Sequence, residues 1–421
     1  MDLRVDEVTR VAGHIGLQVI VGKENVKARI VHSEFRGFEP LLRNRLLEEA
    51  PLYASRICGI CQVSHMLASI EAIEDGLDIE VPLEARKLRD VANLAGRVQS
   101  HLLHLFLLIA PSSLKTEENL STIGHNGKMA IAQLVIEGRG IAQKIVQEIC
   151  GRSIHPVTIV PGGFSKSINM EQISNVSKLA GKLSNIIDAI GEKVEPILVD
   201  ELKERGVCLR TNYMYTLEGS IIVKDSEGTE IESFRKEEYE KHIGEREVEE
   251  GYGTYPYLKA IELPFRVGPL ARLNANEAEN GSGALWANRR HESVTYTHAR
   301  IVESKLAACR MMELVSGLKK EIGASPAELV FREGEGFGAI EAPRGTLLHH
   351  YVFNKDGIIT KANIVTPTAF NSPVIERDIE ENITHMLGKD VDKIKERAVK
   401  VLRDYDPCIP CATHLVNVVI D

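Results

Sequence analysis

The segment Cys58-Gly-Ile-Cys61 and its counterpart near the other end of the chain, Cys408-Ile-Pro-Cys411, decide how this sequence must fold. A histidine follows each pair closely, His65 after the first and His414 after the second. Two thiolates with this spacing can bind one metal ion, so the two pairs together supply four soft ligands. Because almost the whole chain separates the pairs, we expect a fold that brings both ends together around a buried metal centre.

The spacing alone leaves the kind of site open. Four cysteines in two such pairs most often form a closed, tetrahedral zinc site, but such sites usually take both pairs from one small module. A redox-active or catalytic metal and a disulfide are the other interpretations of the same four residues. The remaining cysteines, Cys150, Cys208 and Cys309, stand alone in the sequence and add no further pair.

The composition limits the class of protein. The 421 residues carry a net charge of −9, which argues against binding to nucleic acid or to an anionic membrane, because both require a basic surface. The odd number of cysteines does not indicate a secreted disulfide framework, and the first residues lack a signal-peptide pattern. The most apolar helical stretch, Val98 to Pro111, is too short to span a membrane. We therefore predict a cytoplasmic protein without a transmembrane segment.

Hydrophobic periodicity predicts an α+β fold, mainly α, in which a bundle of long helices surrounds a buried site and small β-sheets lie at the periphery. The expected long helices are Leu83 to Ile109, residues 127–149, Glu171 to Arg205, and Asn288 to Ile322. A pair of strands is expected in the first 35 residues, and further strands from Gly336 to Pro367. The sequence has no glycine-rich phosphate loop, which argues against nucleotide binding.

We expect one large domain spanning residues 1–421. Its predicted segments are an N-terminal β segment (1–47), a helical bundle (83–206 and 286–322), a solvated surface β-hairpin insert (213–251), a β segment that carries a Pro-Arg-Gly turn (336–370), and a C-terminal region with helices, the second cysteine pair and a tail (375–421).

The two cysteine segments, Arg56 to His65 and Asp406 to His414, resemble the signature segments of the large subunit of nickel-iron hydrogenases. The resemblance covers essentially the whole chain. The short length is similar to that of the cytoplasmic branch, which includes deazaflavin-reducing, methyl-viologen-reducing and heterodisulfide-reductase-linked enzymes of methanogens. Further segments match the family in the same order: Glu34-Phe-Arg-Gly-Phe-Glu39, Gly151-Arg-Ser-Ile-His155-Pro, Pro161-Gly-Gly-Phe164, Val267-Gly-Pro-Leu-Ala-Arg272, Glu341-Ala-Pro-Arg-Gly345 and Ile364-Val-Thr-Pro-Thr368.

The resemblance implies that Cys58 and Cys408 bind nickel terminally, whereas Cys61 and Cys411 bridge nickel to an iron that carries carbon monoxide and cyanide. The family splits dihydrogen reversibly between these metals into protons and electrons. Because the sequence has no further cysteine cluster for iron–sulfur centres, the electrons must pass to an iron–sulfur small subunit. The other implied partners are a maturation endopeptidase and a further flavin or heterodisulfide-reductase-type subunit.

The resemblance also implies what surrounds the metals. Arg344, flanked by Pro343, would lie over them as a fixed cation, and Asp406 would pair with it because a buried guanidinium needs a partner. The Thr368 side chain would donate a hydrogen bond to cyanide. Arg344, Asp406 and Cys408 are the expected catalytic residues. Without the resemblance, an arginine in such a turn would be interpreted as an ordinary surface or ion-pair residue.

A second metal site is implied as well. Glu39, the backbone carbonyl of Ile364 and His414 would bind magnesium or ferrous iron, which prefer oxygen ligands with at most one imidazole. The simpler interpretation of Glu39 is a salt bridge to Arg36 or another cation. His65 is expected to donate a hydrogen bond to a cysteine sulfur rather than to bind metal.

Two positions depart from the family pattern. Where the family has Arg-x-Glu-Gly-His, this chain reads Arg10-Val-Ala12-Gly-His14, and Ser112 occupies a position that is often aspartate. The usual first proton acceptor is therefore missing, and protons would leave by another carboxylate or by water. The tail Leu415–Asp421 corresponds to the segment that the endopeptidase removes. The alternative functions are a slow hydrogen sensor and a non-catalytic scaffold with a structural zinc.

Overall fold

The computed structural model describes residues 2–23, 25–34, 37–105, 128–248, 253–261, 264–275 and 291–413. The predictions for Arg36, Ser112, His414 and Leu415–Asp421 concern residues outside these ranges. Within the ranges, no helix is both long enough and apolar enough to cross a membrane.

Long helices dominate the fold. They are separated by shorter helices that connect them to the small sheets. In chain order the helices are α1 (Phe38–Leu42), α2 (Ala50–Ala54), α3 (Gln62–Gly76), α4 (Leu83–Leu103), α5 (Lys128–Cys150), α6 (Met170–Arg205), α7 (Tyr239–His242), α8 (Pro269–Ala275), α9 (Thr295–Ser316), α10 (Pro367–Thr384), α11 (Val391–Asp404) and α12 (Ile409–Ala412).

Helices α4, α5, α6 and α9 pack against one another and form the bundle that the periodicity predicts. Their facing sides contribute apolar residues such as Leu88, Leu183 and Met311 to one continuous core. Helix α6 begins with a capping box, in which the side chains of Asn169 and Gln172 each accept a hydrogen bond from the other residue's backbone N–H. This pairing satisfies two of the donors that a helix start leaves free.

The strands form several small sheets rather than one large one. The sheet orders are β1-β2-β3, β11-β6-β7-β8 and β12-β13-β14, with the pairs β4-β5 and β9-β10. The strands are β1 (Asp2–Val5), β2 (Ile15–Val21), β3 (Val26–His32), β4 (Ile159–Val160), β5 (Gly163–Phe164), β6 (Asn212–Leu217), β7 (Ser220–Lys224), β8 (Glu230–Arg235), β9 (Ile243–Glu247), β10 (Thr254–Leu258), β11 (Phe265–Arg266), β12 (Gly334–Ala342), β13 (Gly345–Phe353) and β14 (Ile359–Val365).

The segment 213–251 differs from the solvated surface hairpin that its charged residues indicate. Strand β6 is buried along most of its length and pairs in parallel with β11, so the segment belongs to a packed sheet. Lys236, from the charged run, is buried and pairs with Glu71 and Asp75 of α3 at 2.7 and 3.3 Å. A buried ion pair and a solvated face have the same composition, which is why the sequence pattern indicated the wrong environment for this lysine, whereas most of β8 is exposed.

Several element boundaries also differ from the predictions. The first 35 residues contain three strands, because β1 pairs with β2. The expected C-terminal helical stretch is two helices, α10 and α11, and Gly388 between them has a φ of +83°. Helix α10 already starts at Pro367, the first helical position that proline favours, so the preceding β segment ends at Val365. Helix α9 is shorter at both ends than the predicted range.

Two glycines in β12 let α3 lie directly on the sheet. A Cβ on Gly336 would lie 2.0 Å from the carbonyl oxygen of Ala72, and a Cβ on Gly338 would lie 2.0 Å from that of Ala68. Side chains do not approach backbone atoms this closely, so both positions require glycine. Because α3 begins directly after Cys61, this contact fixes the first cysteine pair relative to the β12–β13 turn.

We expect Gly338→Ala to lower the free energy of unfolding by about 1–3 kcal/mol, because the added methyl group collides with the Ala68 carbonyl. Gly140→Ala in α5 is the matched control, since nothing lies within 4 Å of its added Cβ. Helix propensity predicts a gain of about 0.5–1 kcal/mol for that control. Chemical denaturation measures both, and a wild-type midpoint for Gly338→Ala would contradict the close packing.

Candidate metal centre

The structure brings the two cysteine pairs together in the interior. The four sulfur atoms all lie within 4.8 Å of one another, and all four residues are buried. The Sγ–Sγ distances are 3.3 Å between Cys58 and Cys408, 3.4 Å between Cys61 and Cys411, and 2.9 Å between Cys408 and Cys411. Four free thiols at this separation provide a compact donor set for a soft metal ion.

Short local structures place each pair. Cys61 is the residue before α3, so the first pair ends where that helix begins. Cys408 is the residue before α12, so the second pair spans the start of that helix. The N-terminal part of the chain fastens the second pair, because Ala12 forms a parallel bridge with Cys408 and its carbonyl accepts from the Ile409 N–H at 2.8 Å. Ala12 itself packs against the cluster that contains the four cysteines.

The four thiols do not have equivalent environments. Hydrogen bonds from Cys408, Cys411 and Cys61 lower the pKa of Cys58 well below its usual value, and the positive charge of Arg344 acts in the same direction. Burial is the main cause that raises the pKa of Cys411 well above its usual value. The cluster therefore favours the thiolate form of Cys58, and a bound cation would favour deprotonation of buried thiols such as Cys411.

Arg344 is a buried cation next to the thiols. It lies in the turn between β12 and β13, where its Nη2 donates to Asp406 Oδ1 at 2.9 Å and its Nε donates to the Asp406 carbonyl at 2.6 Å. Burial opposes the charge, but Asp406 and the nearby thiols Cys408 and Cys58 raise the pKa of Arg344 well above its usual value. Arg344 Nη1 and Asp406 Oδ2 have no hydrogen-bond partner among the described residues. The predicted Arg344–Asp406 pair is thus present, and Arg344 Nη1 can still donate a hydrogen bond to another group.

Threonine and proline neighbours complete this side of the site. The Thr368 hydroxyl accepts a hydrogen bond from the Cys408 N–H at 3.0 Å, so its own proton is available for another acceptor. The Thr366 hydroxyl is buried and has no partner within the described part of the chain. The Pro343 carbonyl accepts from Arg272 Nη2 at 3.3 Å.

A buried ion network behind the turn was missed by the sequence reasoning. Arg272 donates to both Glu303 and Glu341 and to the carbonyl of Ala342 at 3.2 Å. Glu303 also accepts from Arg97 at 3.2 Å. Polar residues such as Arg97 at core-facing helix positions were the signal that could have indicated this network. The network ties α4, α8 and α9 to the residues just before the Pro-Arg-Gly turn.

His65 begins a buried chain of hydrogen bonds. Its Nδ1 lies 3.1 Å from His349 Nε2, His349 Nδ1 lies 2.7 Å from the Tyr351 hydroxyl, and that hydroxyl donates to Ser69 at 3.0 Å. Burial lowers the pKa of His65 to about 4, so the ring is neutral at physiological pH. The hydrogen-bond partner of its Nδ1 is thus another histidine, and the expected hydrogen bond to a cysteine sulfur, which would come from Nε2, stays a prediction.

The residues of the predicted second metal site lie on adjacent elements. Glu39, on α1, is buried but borders an open cleft of about 650 Å³ that Tyr239 and Asn363 also line. Helix α1 packs against β14, the strand that contains Ile364. The third predicted ligand, His414, lies outside the described residues. The structure therefore describes two of the three expected ligands.

Comparison with known proteins identifies the family. The chain matches the family model of nickel-dependent hydrogenases over residues 36–112 and 224–414. One subunit of the F420-non-reducing hydrogenase of Methanothermobacter thermautotrophicus is 33% identical over 454 aligned residues, covering 99% of this chain and 95% of the relative. The alpha subunit of sulfhydrogenase 2 from Pyrococcus furiosus is 31% identical over 432 residues, covering 99% and 100%.

A solved structure has the same fold. The crystal structure of an NAD+-reducing NiFe-hydrogenase in the H2-reduced state matches with a TM-score of 0.87 and 27% identity, covering 98% of this chain and 99% of that one. The chain therefore belongs to the nickel-dependent hydrogenase family, in which it is a large subunit, and it is an oxidoreductase that acts on dihydrogen. The predicted family and the α+β fold class are confirmed.

Asp406→Asn should lower the free energy of unfolding by roughly 3–5 kcal/mol, because it leaves Arg344 buried without its counter-charge. Asp78→Asn is the control, since Asp78 pairs with Arg332 at the surface and such pairs contribute about 0–1 kcal/mol. Both aspartates have positive φ, which asparagine tolerates, so the backbone does not distinguish them. Similar losses in urea denaturation would argue against a special role for the buried pair.

His32 is expected to make stability pH-dependent. Burial lowers its pKa to about 4, and neither ring nitrogen has a hydrogen-bond partner in the described ranges. Above pH 6.5 His32 is neutral in both the folded and the unfolded chain. Between pH 6.5 and 4 only the unfolded chain binds a proton at this histidine, so the free energy of unfolding falls as the pH falls. This histidine should account for about 2 kcal/mol of the loss between pH 7 and pH 5. Urea denaturation at these two pH values measures the effect. The decrease in unfolding free energy from pH 7 to pH 5 should be smaller in His32→Gln than in wild type, and unchanged in the surface control His385→Gln.

Proposed function

We propose that this chain is the catalytic subunit that splits dihydrogen reversibly into protons and electrons at a nickel-iron centre bound by the four cysteines. The observation that carries the proposal is the cluster of four buried thiols from both ends of the chain, beside the buried guanidinium of Arg344. A structural zinc site has no need of a buried cation whose Nη1 lacks a partner among the described residues, since four thiolates already close the coordination of zinc.

The donor set suits two metals. Cys58 and Cys408 would bind nickel, and Cys61 and Cys411 would be shared between nickel and iron, which soft thiolates favour. The bound metals would polarise dihydrogen toward heterolytic cleavage, as Lewis acids do. Arg344 Nη1, which has no hydrogen-bond partner among the described residues, is a suitable donor for the carbon monoxide and cyanide ligands that we infer for iron.

The protein's own contribution is a dry site with a fixed positive charge. Arg344 keeps its proton because Asp406 is its permanent partner, so it can stabilise negative charge near the thiols without entering proton transfer. The Thr368 hydroxyl orients Cys408 through its N–H and can donate its own proton to a diatomic ligand. The neutral His65 borders the first pair without adding a charge.

A second metal near Glu39 would have a structural role. Glu39, the Ile364 carbonyl and His414 are hard or borderline ligands, which suit magnesium or ferrous iron. An ion at this point would join α1, β14 and the end of the chain that follows Cys411.

Electrons must leave through a partner. Within the described residues the four-cysteine cluster is the single group of potential metal ligands found, so this part of the chain offers no relay of its own. The Ser55 carbonyl lies 2.9 Å from His155 Nδ1, and the Ser55 hydroxyl donates to the Leu52 carbonyl. Leu52 and the residues on either side of this histidine, Ile154 and Val157, are exposed. We propose this apolar surface near the first cysteine pair as the docking face of an iron–sulfur small subunit.

The proposed hydrogenase function implies further partners. We propose a flavin or heterodisulfide-reductase-type subunit downstream of the small one, together with a maturation endopeptidase that acts on Leu415–Asp421. A cytoplasmic location suits both. The two relatives named above are each one subunit of a larger hydrogenase, which supports assembly of this chain with other chains.

Metal analysis and infrared spectroscopy test the proposal directly. The purified complex should contain nickel and iron and show infrared bands of carbon monoxide and cyanide. Cys58→Ser should lose nickel and these bands, because one of the four soft ligands is removed, whereas Cys309→Ser should keep them. Zinc as the sole metal of the wild-type protein would refute the catalytic proposal and support the scaffold.

A slow hydrogen sensor is the second candidate function, and the position of Ala12 favours it. A methyl group lies beside Cys408 where a carboxylate could accept protons. We expect Ala12→Glu to raise dihydrogen turnover by roughly ten-fold, the lower part of the range for general-base catalysis. Turnover and hydrogen–deuterium exchange measure the effect, with Ala12→Gln as the uncharged control. Unchanged rates in Ala12→Glu would contradict a weakened proton exit.

A further inference from the structure

One carboxylate reaches the loop of the second cysteine pair from outside. A Cβ on Gly13 would lie 2.4 Å from Glu34 Oε2 and 2.6 Å from Pro410 Cδ. The carboxylate and the proline ring therefore lie next to each other, over the face of Gly13 that has no side chain. Pro410 lies between Cys408 and Cys411, so Glu34 is packed against the outside of the metal-binding loop.

The Glu34 carboxylate is fixed at the boundary between this loop and solvent. The backbone N–H of His14 donates to Glu34 Oε2 at 3.2 Å. Glu34 is partly buried, whereas the His14 side chain is about two-thirds exposed and lies 3.0 Å from Glu7. A group in this position has the thiol loop on one side and exposed polar residues on the other.

The other acidic group at the centre cannot serve in the same way. Asp406 is almost fully buried and is bound to Arg344 through both its side chain and its carbonyl. Ala12, which contacts the cluster, offers a methyl group. Glu34 therefore combines a position beside Pro410, in the loop of the second cysteine pair, with partial exposure to solvent, whereas Asp406 and Ala12 do not.

We propose that Glu34 is the carboxylate that carries protons from the metal centre to solvent. This inference rests on the proposed function. Each dihydrogen yields two protons and two electrons, and the electrons pass to the iron–sulfur clusters of the small subunit. The proton that leaves the centre forms an O–H bond on Glu34, and that bond breaks when the proton passes to water beside His14. The carboxylate is then regenerated, so no net change of Glu34 occurs.

The test compares two reactions in the intact complex. Exchange of deuterium gas with water requires protons to leave the site, whereas conversion of para- to ortho-dihydrogen requires cleavage alone. In Glu34→Gln, which preserves size and the acceptor for the His14 N–H, exchange should fall about 100-fold while conversion is unchanged. Nickel content and the infrared bands should match wild type. Glu48→Gln, at an exposed carboxylate, is the control and should leave both reactions unchanged.

A rescue makes the assignment specific. Adding Ala12→Glu to Glu34→Gln supplies a carboxylate next to Cys408 and should restore most of the exchange. Wild-type exchange in a metal-loaded Glu34→Gln protein would overturn the inference, and so would loss of nickel in that variant, because it would assign a structural role. Absence of conversion in the wild-type complex would refute the proposed function instead, whatever Glu34 does.

Discussion

The convergence of four buried thiols from opposite ends of the chain is the constraint on which the rest of the structure depends. Each pair lies at the start of a helix, but its position relative to the other pair depends on contacts with distant parts of the chain. The bridge between Ala12 and Cys408 and the contact of α3 with β12 fix the two pairs from different directions. Metal chemistry requires such rigidity, because ligand geometry controls which metal binds and which positions stay open.

Around this cluster the protein buries charge where apolar residues would be more stabilising. Arg344, Arg272 and Glu303 are nearly inaccessible to water, and each has a charged partner. Buried ion pairs contribute little net stability, because desolvation offsets their attraction. These buried charges instead orient the site. Arg272 donates hydrogen bonds to the carbonyls of Ala342 and Pro343 and so holds the turn that places Arg344 beside the thiols. Apolar side chains could fill the same volume but could not orient a guanidinium.

The N-terminal segment has two roles: it supports the second cysteine pair and it borders the proposed proton exit. Its backbone supports the second cysteine pair through Ala12, and the bare face of Gly13 accommodates a carboxylate from the end of the adjacent strand. In the proposed function, electrons leave from the opposite pair, near Ser55, while protons leave past Gly13 and His14. Separate exits would let the two products of one reaction reach different acceptors.

The sequence by itself determined the family, the bundle of long helices and the four cysteines, because apolar periodicity and ligand spacing depend only on the order of residues along the chain. It also indicated the Arg344–Asp406 pair through its resemblance to known proteins. Only the tertiary structure decided that Lys236 is buried, that His65 pairs with His349, and that Glu34 lies on the second cysteine loop. These contacts join residues that are far apart in the chain. Composition cannot distinguish a solvated charge from a paired one, since that difference depends on what folds against it.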